Sequence, residues 1–177
     1  REVVLTGGSA GGLSTFLHID RLAQMLPPRT FLVGKPVVGF FLDYKAAGYD
    51  DFNTYPSFMK YVFDMQNASG SLSRECQDAQ AEGASWRCML APHAAPFVRT
   101  PWFLEASRFD HWQLMKEAFL GCMEHEPYYP PYPPGAGGRD NNCTAPERAV
   151  IERYGFEYMA QLEPVMASSN RNGGFID

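Results

Sequence analysis

A serine lies within a run of glycines near the start of the sequence, Gly7-Gly8-Ser9-Ala10-Gly11-Gly12. The apolar residues before this run predict a strand, and the spacing of the apolar residues after it predicts a helix. A G-x-S-x-G pattern between a strand and a helix is typical of a nucleophile elbow, which presents a serine hydroxyl at the edge of a sheet. The pattern predicts Ser9 as a nucleophile in acyl transfer, with the backbone N–H of Ala10 as a donor to the developing oxyanion.

In this interpretation the glycines have a steric reason, since small neighbours let the serine Oγ project and a substrate carbonyl approach. The same residues allow another interpretation, a tight turn that packs closely or binds a phosphate at a helix N-terminus. That alternative describes an intracellular binding module with free thiols. A dinucleotide fingerprint fits less well, because the glycine spacing differs and no acidic residue ends the next predicted strand, at Val33.

An acid that supports such a serine follows it in the chain, at the end of a later strand. Asp110 meets this requirement because it lies just beyond the predicted strand Thr100–Glu105, and its position favours it over Asp43. An aspartate at this place is also a common helix N-cap, here for a helix that begins at Trp112. The residues alone leave both roles of Asp110 open.

The general base is missing from this set of residues. Of the four histidines, His111 and His125 follow Asp110. His111 adjoins the acid and His125 borders a Pro/Tyr-rich insert, so we interpret both as solvated or supporting side chains. A serine without an imidazole is a weak nucleophile, and we expect this stretch alone to have little hydrolytic activity.

Strands and helices alternate along the chain. Apolar, β-branched and aromatic runs predict strands at 1–6, 30–33 and 100–105 and the beginning of another at 172–177. Helical spacing covers 11–26, 55–65, 112–120 and 145–165, and in the second of these helices one apolar face is shared by Phe58, Tyr61, Val62 and Met65. The alternation predicts an α/β fold with a mostly parallel sheet and helices on both faces.

Composition excludes several classes of partner. The 177 residues carry a net charge of −5, which gives no basic patch for nucleic acid. No stretch approaches the roughly 20 apolar residues of a membrane span. We expect one domain that acts as a monomer, with no cofactor and no metal.

Cysteines and sequons indicate an oxidising compartment. The four cysteines are even in number and lack CxxC spacing, which predicts two disulfides rather than a zinc site or a redox pair. Two N-glycosylation sequons begin at Asn67 and Asn142. These features predict a secreted glycoprotein, located outside the cell or in the cell wall.

Five short blocks occur in an order that resembles the pectin acetylesterases and the related Notum carboxylesterases. They are Leu5–Leu13, Leu17–Arg21, Gly39–Asp43, Thr100–Pro101 and Phe109–Gln113. The resemblance implies an α/β-hydrolase-like fold with Ser9 as nucleophile and Asp110 as triad acid. It also implies one disulfide between Cys76 and Cys88. A second one, between Cys122 and Cys143, would close the Pro/Tyr insert 126–134.

The same resemblance implies contacts with the acyl group for Phe41, Met89 and Leu90. Apolar residues beside a disulfide usually pack inward, so ordinary core is the alternative for Met89 and Leu90. The sequence departs from the family at Val37, where an aspartate is usual, and this removes a polar group near the elbow.

The resemblance places the family's first oxyanion loop before Arg1 and its catalytic histidine after Asp177. We therefore expect residues 1–177 to be the central and C-terminal part of one esterase domain, truncated at both ends and marginally stable alone. The expected function is ester hydrolysis by a Ser-His-Asp triad, first of all removal of acetyl groups from pectin. The alternatives are removal of a fatty acyl group from a protein, as by Notum, and a non-catalytic fragment that keeps only the fold.

Overall fold

Residues 1–46, 48, 54–123 and 143–177 are described by the structure, a computed structural model. Four strands form one sheet in the order β1-β2-β3-β4, and every neighbouring pair is parallel. The strands are Glu2–Gly8 (β1), Phe31–Val37 (β2), Phe103–Ala106 (β3) and Gly173–Ile176 (β4). In the register, Gly8 pairs with Val37, and Val37 pairs with Glu105. The predicted parallel sheet is confirmed, and its carboxyl ends form one edge.

Six α-helices alternate with these strands in the described residues: Ala10–Met25 (α1), Tyr55–Gln66 (α2), Arg74–Ala79 (α3), Ala91–Ala94 (α4), His111–Lys116 (α5) and Ala145–Ala167 (α6). Local sequence explains where the longer ones begin. Thr54 caps α2, with a proline in its first turn. Thr144 and Glu147 form a capping box at the start of α6.

Helices cover one face of the sheet. On that face Leu32, Leu104 and Ala106 are buried, and the ring of Phe16 from α1 packs edge-on against Trp102, with centroids 5.2 Å apart. The opposite face is exposed, and it carries an ion pair between Lys35 and Glu105 together with the apolar side chains of Val4, Phe31, Phe103 and Phe175. The predicted second layer of helices is not found among the residues that the structure describes.

The apolar face of α2 is exposed and does not face the core. Phe58, Tyr61 and Met65 share a face, but more than half of each side chain is exposed. The helix packs through Met59 and the ring of Pro56, which are buried, and its inner side lies against the turn Ser85–Met89. The periodicity located this helix correctly without showing which side faces the core.

Both disulfides implied by the resemblance are present. Cys76 on α3 bonds to Cys88 in the turn before α4. Cys122 bonds to Cys143, which lies just before α6. The Pro/Tyr insert and His125 belong to the segment 124–142, which lies outside the described residues.

Candidate functional site

Ser9 forms a sharp turn between β1 and α1. Its backbone has φ 54° and ψ −121°, a conformation that L-residues rarely adopt. The N–H of Ser9 donates to the carbonyl of Val37 (2.9 Å), and its own carbonyl accepts from Leu13 (3.1 Å) at the start of the helix. The side chain makes no capping bond to α1, and the residue is exposed. The turn leaves the hydroxyl at the carboxyl edge of the sheet.

Two of the glycines near Ser9 are required by backbone contacts. A methyl group on Gly7 would collide with the backbone of Gly11, and one on Gly12 would lie 2.7 Å from the carbonyl oxygen of Val37. A methyl group on Gly8 or on Gly11 would meet nothing within 4 Å. Close packing of α1 therefore explains Gly7 and Gly12, and the expected reason, space around Ser9, applies only to Gly8 and Gly11.

Ala10 is the first residue of α1 and is exposed. The first N–H groups of a helix have no acceptor within it, and they carry the positive end of the helix dipole. The position of Ala10 thus suits a donor to an oxyanion on the Ser9 side of the turn. Its catalytic role stays a prediction.

Asp110 follows β3 and caps α5. Its Oδ1 accepts a hydrogen bond from the N–H of Gln113 at 2.8 Å, so the N-cap interpretation describes its geometry. Burial raises the pKa of Asp110, and this outweighs the lowering effect of the N–H groups of Gln113 and Trp112 and of the charge of His111. A carboxylate has four acceptor positions, so capping leaves room for a further donor.

Ser9 and Asp110 lie at the same edge of the sheet. Each follows the carboxyl end of its strand, and β1 and β3 are separated by β2 alone. Two strand spacings amount to about 10 Å between backbones, a separation that the side chains of Ser9 and Asp110 and an imidazole between them can span with hydrogen bonds. The end of β4 lies at this edge too, because the backbone N–H of Asp177 donates to the carbonyl of Ala106 (3.3 Å) and the carbonyl of Asp177 accepts from the N–H of Arg108 (3.2 Å).

Gln113 fixes the loop that follows β2, a role that the sequence did not reveal. Its side chain is buried, and its Oε1 accepts from the N–H of Leu42 (3.2 Å) and the hydroxyl of Tyr154 (2.7 Å). Its Nε2 donates to the carbonyl of Phe40 (3.3 Å). The three-residue spacing between Asp110 and Gln113 was the available signal. In the structure, Asp110 caps α5 through the N–H of Gln113, and the side chain of Gln113 holds the loop.

A buried glutamate extends this network. Glu117 is 1% exposed, and its Oε2 lies 3.0 Å from the hydroxyl of Tyr154. Burial raises the pKa of Glu117 well above its ordinary value, and the charges of Asp110 and Asp43 raise it further against the lowering effect of the Tyr154 bond. The hydroxyl of Tyr154 thus lies between two buried acceptors, Oε1 of Gln113 and Oε2 of Glu117.

Asp43 lies further along the same loop and is held by side chains from other segments. Its Oδ2 lies 2.8 Å from Nε2 of His93 and 3.5 Å from Nε of Arg87. Burial alone would raise the pKa of Asp43, but the hydrogen bond from His93 and the charge of Arg87 outweigh it and hold the pKa below its ordinary value. The side chain of Gln161 on α6 bonds to both backbone groups of Asp43.

The residues with implied acyl contacts differ in exposure. Phe41 is 5% exposed and lies beneath the rings of Tyr55 and Trp112. Leu90 is fully buried in the hydrophobic core, and Met89 is partly buried against it. Leu90 thus lies in the core, as the alternative interpretation of Met89 and Leu90 expected. Acyl contacts of Phe41, Met89 and Leu90 stay predictions.

One of the two sequons can be placed in the structure. Asn67 is exposed and ends α2 in the left-handed conformation, with φ 49°. Asn142 lies outside the described residues. Glycosylation at both sites stays a prediction.

Neither a membrane-spanning helix nor a cluster of metal ligands is formed by the described part of the chain. It has no helix both long enough and apolar enough to cross a bilayer. Within the same residues, no three or more His, Cys, Asp or Glu side chains form a group that could hold a metal ion.

The fold belongs to the α/β-hydrolase-like class. A crystal structure of the Wnt deacylase Notum from Drosophila matches it with a TM-score of 0.74 at 21% identity, over 99% of this chain and 43% of that one. The predicted fold class is confirmed by this likeness.

The chain belongs to the pectinacetylesterase family, whose sequence profile matches residues 1–177. Pectin acetylesterase 4 of Arabidopsis thaliana is 32% identical over 114 residues, which cover 64% of this chain and 27% of that protein. The palmitoleoyl-protein carboxylesterase Notum of Schmidtea mediterranea is 30% identical over 120 residues, which cover 64% of this chain and 23% of that protein. Across such matches the chain spans less than half the length of its relatives.

Proposed function

We propose that the full-length protein is a secreted serine carboxylesterase with Ser9 as its nucleophile. The strained turn at Ser9 carries this proposal, because a non-glycine residue at φ 54° persists only where the surrounding structure enforces it. Such strain is common at catalytic turns. Membership of the pectinacetylesterase family supports ester hydrolysis as the reaction.

The reaction begins when Oγ of Ser9 attacks the carbonyl carbon of an acyl ester. A general base takes the hydroxyl proton, and the oxyanion is stabilised by the N–H of Ala10 and by a second donor from outside residues 1–177. The proton then passes to the leaving alcohol as the ester bond breaks. Water, activated by the same base, hydrolyses the acyl-serine and releases the carboxylic acid.

Asp110 acts as the acid that orients the base. The carboxylate of Asp110 bonds to backbone N–H groups at the start of α5 and has acceptor positions left for an imidazole N–H. We expect that imidazole to come from residues after Asp177, because β4 ends beside the loop that carries Asp110. We propose on this basis that residues 1–177 are part of a larger esterase domain.

Acetylated pectin is the substrate that we propose. Several Arabidopsis relatives are named pectin acetylesterases, and one of them is 23% identical over the whole of this chain. The alternative substrate is a fatty-acylated protein, which the likeness to Notum supports. The two disulfides favour an extracellular location for either reaction and count against an intracellular phosphate-binding module.

The test uses the full-length protein with acetylated pectin and with p-nitrophenyl esters of acetic and palmitic acid. We expect release of acetate and hydrolysis of the acetyl ester, with loss of both in Ser9→Ala. The control Ser14→Ala changes an exposed serine of α1 and should keep full activity. Hydrolysis that survives in Ser9→Ala contradicts the proposal. A preference for the palmitoyl ester favours the alternative, removal of a fatty acyl group, over deacetylation.

A further inference from the structure

Three aromatic rings from separate segments meet beside the candidate site. Phe41 comes from the loop after β2, Tyr55 from the first turn of α2, and Trp112 from the first turn of α5. The ring centroid of Phe41 is 5.6 Å from that of Tyr55 and 5.5 Å from that of Trp112, and the other two are 5.8 Å apart. Both contacts of Trp112 are edge-to-face, a favourable geometry for aromatic rings.

The three rings differ in their access to a ligand. Phe41 is 5% exposed, whereas Trp112 is 43% exposed and Tyr55 is partly buried. A ligand that approaches this cluster from solvent therefore meets Trp112 before it can reach Phe41.

The segments that carry Trp112 and Phe41 also carry residues that contact Ser9 or include Asp110. Trp112 is two residues beyond Asp110, in the same helical turn that Asp110 caps. Phe41 lies in the loop that follows Val37, the last residue of β2, and the carbonyl of Val37 accepts a hydrogen bond from the N–H of Ser9. The rings thus flank the carboxyl edge of the sheet between the ends of β1 and β3.

The position of Trp112 is also fixed by hydrogen bonds. Its neighbour Gln113 bonds to Phe40 and Leu42, on either side of Phe41. The backbone that carries Trp112 and the backbone that carries Phe41 are therefore joined directly. With its backbone held in this way and its ring packed against Phe41 and Tyr55, Trp112 can set the limit of a pocket.

From this geometry we infer that Trp112 is a specificity-determining residue that restricts the enzyme to short acyl groups. The inference rests on the proposed esterase function and adds the residue that selects the acyl length. Trp112, supported by Tyr55, occupies the space in front of Phe41 that a long acyl chain would need. An acetyl group does not need that space, whereas a chain of eight carbons must bury its methylenes there.

The experiment measures kcat/KM of the full-length protein for p-nitrophenyl esters with acyl chains of two to twelve carbons. Wild type is expected to prefer the two-carbon ester. Trp112→Ala should raise the ratio of eight-carbon to two-carbon activity by about tenfold or more, in line with the selectivity that apolar pockets provide. Trp112→Phe keeps a ring and should shift the ratio in the same direction by less. Phe156→Ala is the control, because Phe156 is 74% exposed on α6 and outside the cluster.

An unchanged chain-length profile in folded, active Trp112→Ala overturns the inference, as does an equal loss of activity for all chain lengths. If Trp112→Ala does not fold, the profile of Trp112→Phe decides, and identity with wild type again overturns it. A wild-type preference for eight or more carbons overturns the inference while leaving the esterase proposal intact. Failure of the esterase proposal is recognised separately, by hydrolysis that does not depend on Ser9.

Discussion

At the scale of single residues, the backbone of Ser9 costs free energy that its neighbours offset. A residue held in such a conformation is destabilised by about 1–3 kcal/mol. The hydrogen bond from Ser9 to Val37 and the close backbone contact at Gly7 hold the turn in place. Strain of this kind presents the hydroxyl to a substrate, which a relaxed helix start would not do.

Asp110 combines two roles that substitutions can separate. Asparagine caps a helix about as well as aspartate but cannot hold an imidazole in the required tautomer, so Asp110→Asn should fold normally and lose about 10⁴-fold in kcat. Asp110→Ala should lose a similar amount of activity and also about 1 kcal/mol of stability, because the bond to Gln113 is gone. Ester hydrolysis and urea unfolding of the full-length protein measure the two effects. Near-normal activity in Asp110→Asn would show that Asp110 is only a cap.

At the scale of elements, the loop after β2 is held from three directions. Gly39 touches the backbone of Gly12 on α1, and Gln113 on α5 bonds to both sides of Phe41. Asp43 is held by His93 and by Gln161 on α6. Residues 38–46 of this loop form no helix or strand, but contacts with α1, α5 and α6 fix their backbone.

Two glycines of α1 test how closely this helix must approach the loop. Gly12→Ala places a methyl group 2.7 Å from the carbonyl oxygen of Val37 and should destabilise the protein by about 2 kcal/mol. Gly11→Ala is the matched control, since its methyl group meets nothing within 4 Å and alanine stabilises a helix relative to glycine by about 0.5–1 kcal/mol. Urea unfolding of both variants should give changes of opposite sign. Equal stability of the two variants would be inconsistent with the close contact.

The helices and strands could be predicted from the sequence better than the contacts between them. The turn at Ser9 and the following helix were predicted because a strand, a glycine-rich turn and a helix are all encoded locally. The cluster of Phe41, Tyr55 and Trp112 was not predicted, because its members come from three distant segments and no local period relates them. The exposed side of α2 was missed for a similar reason, since an apolar stripe does not indicate what covers it.

At the scale of the whole molecule, the sheet has one helical layer in the described residues. Parallel sheets are normally covered on both faces, and here Val4, Phe31, Phe103 and Phe175 remain exposed. The relatives are more than twice as long as this chain. We propose that further parts of the full-length protein cover this face, as the esterase proposal also requires for the base and the second oxyanion donor.

The buried network of Gln113, Glu117 and Tyr154 joins α5 to α6 and should control how stability depends on pH. The pKa of Glu117 is raised in the folded state, so above its ordinary value of 4.5 the folded protein holds a proton that the unfolded chain releases. Stability from this residue is complete below that pH and decreases as pH rises towards the folded pKa. Glutamine cannot ionise, so Glu117→Gln should be more stable than wild type at neutral pH, by an amount that shrinks towards pH 4.5.

Urea unfolding of the full-length protein at several pH values between 4.5 and 8 measures this difference. The control is Glu157→Gln, an exposed glutamate of α6, which should follow the wild-type curve. A stability difference between Glu117→Gln and wild type that does not change with pH would refute a neutral, buried Glu117.

Covalent labelling tests most directly whether Ser9 is the nucleophile. The full-length protein is treated with a fluorophosphonate ester, which reacts with activated serines, and the adduct is located by mass spectrometry of its peptides. We expect one adduct, on the peptide that contains Ser9, with slower labelling in Asp110→Asn and none in Ser9→Ala. An adduct on another serine, or labelling that persists in Ser9→Ala, would contradict the proposal that Ser9 is the nucleophile.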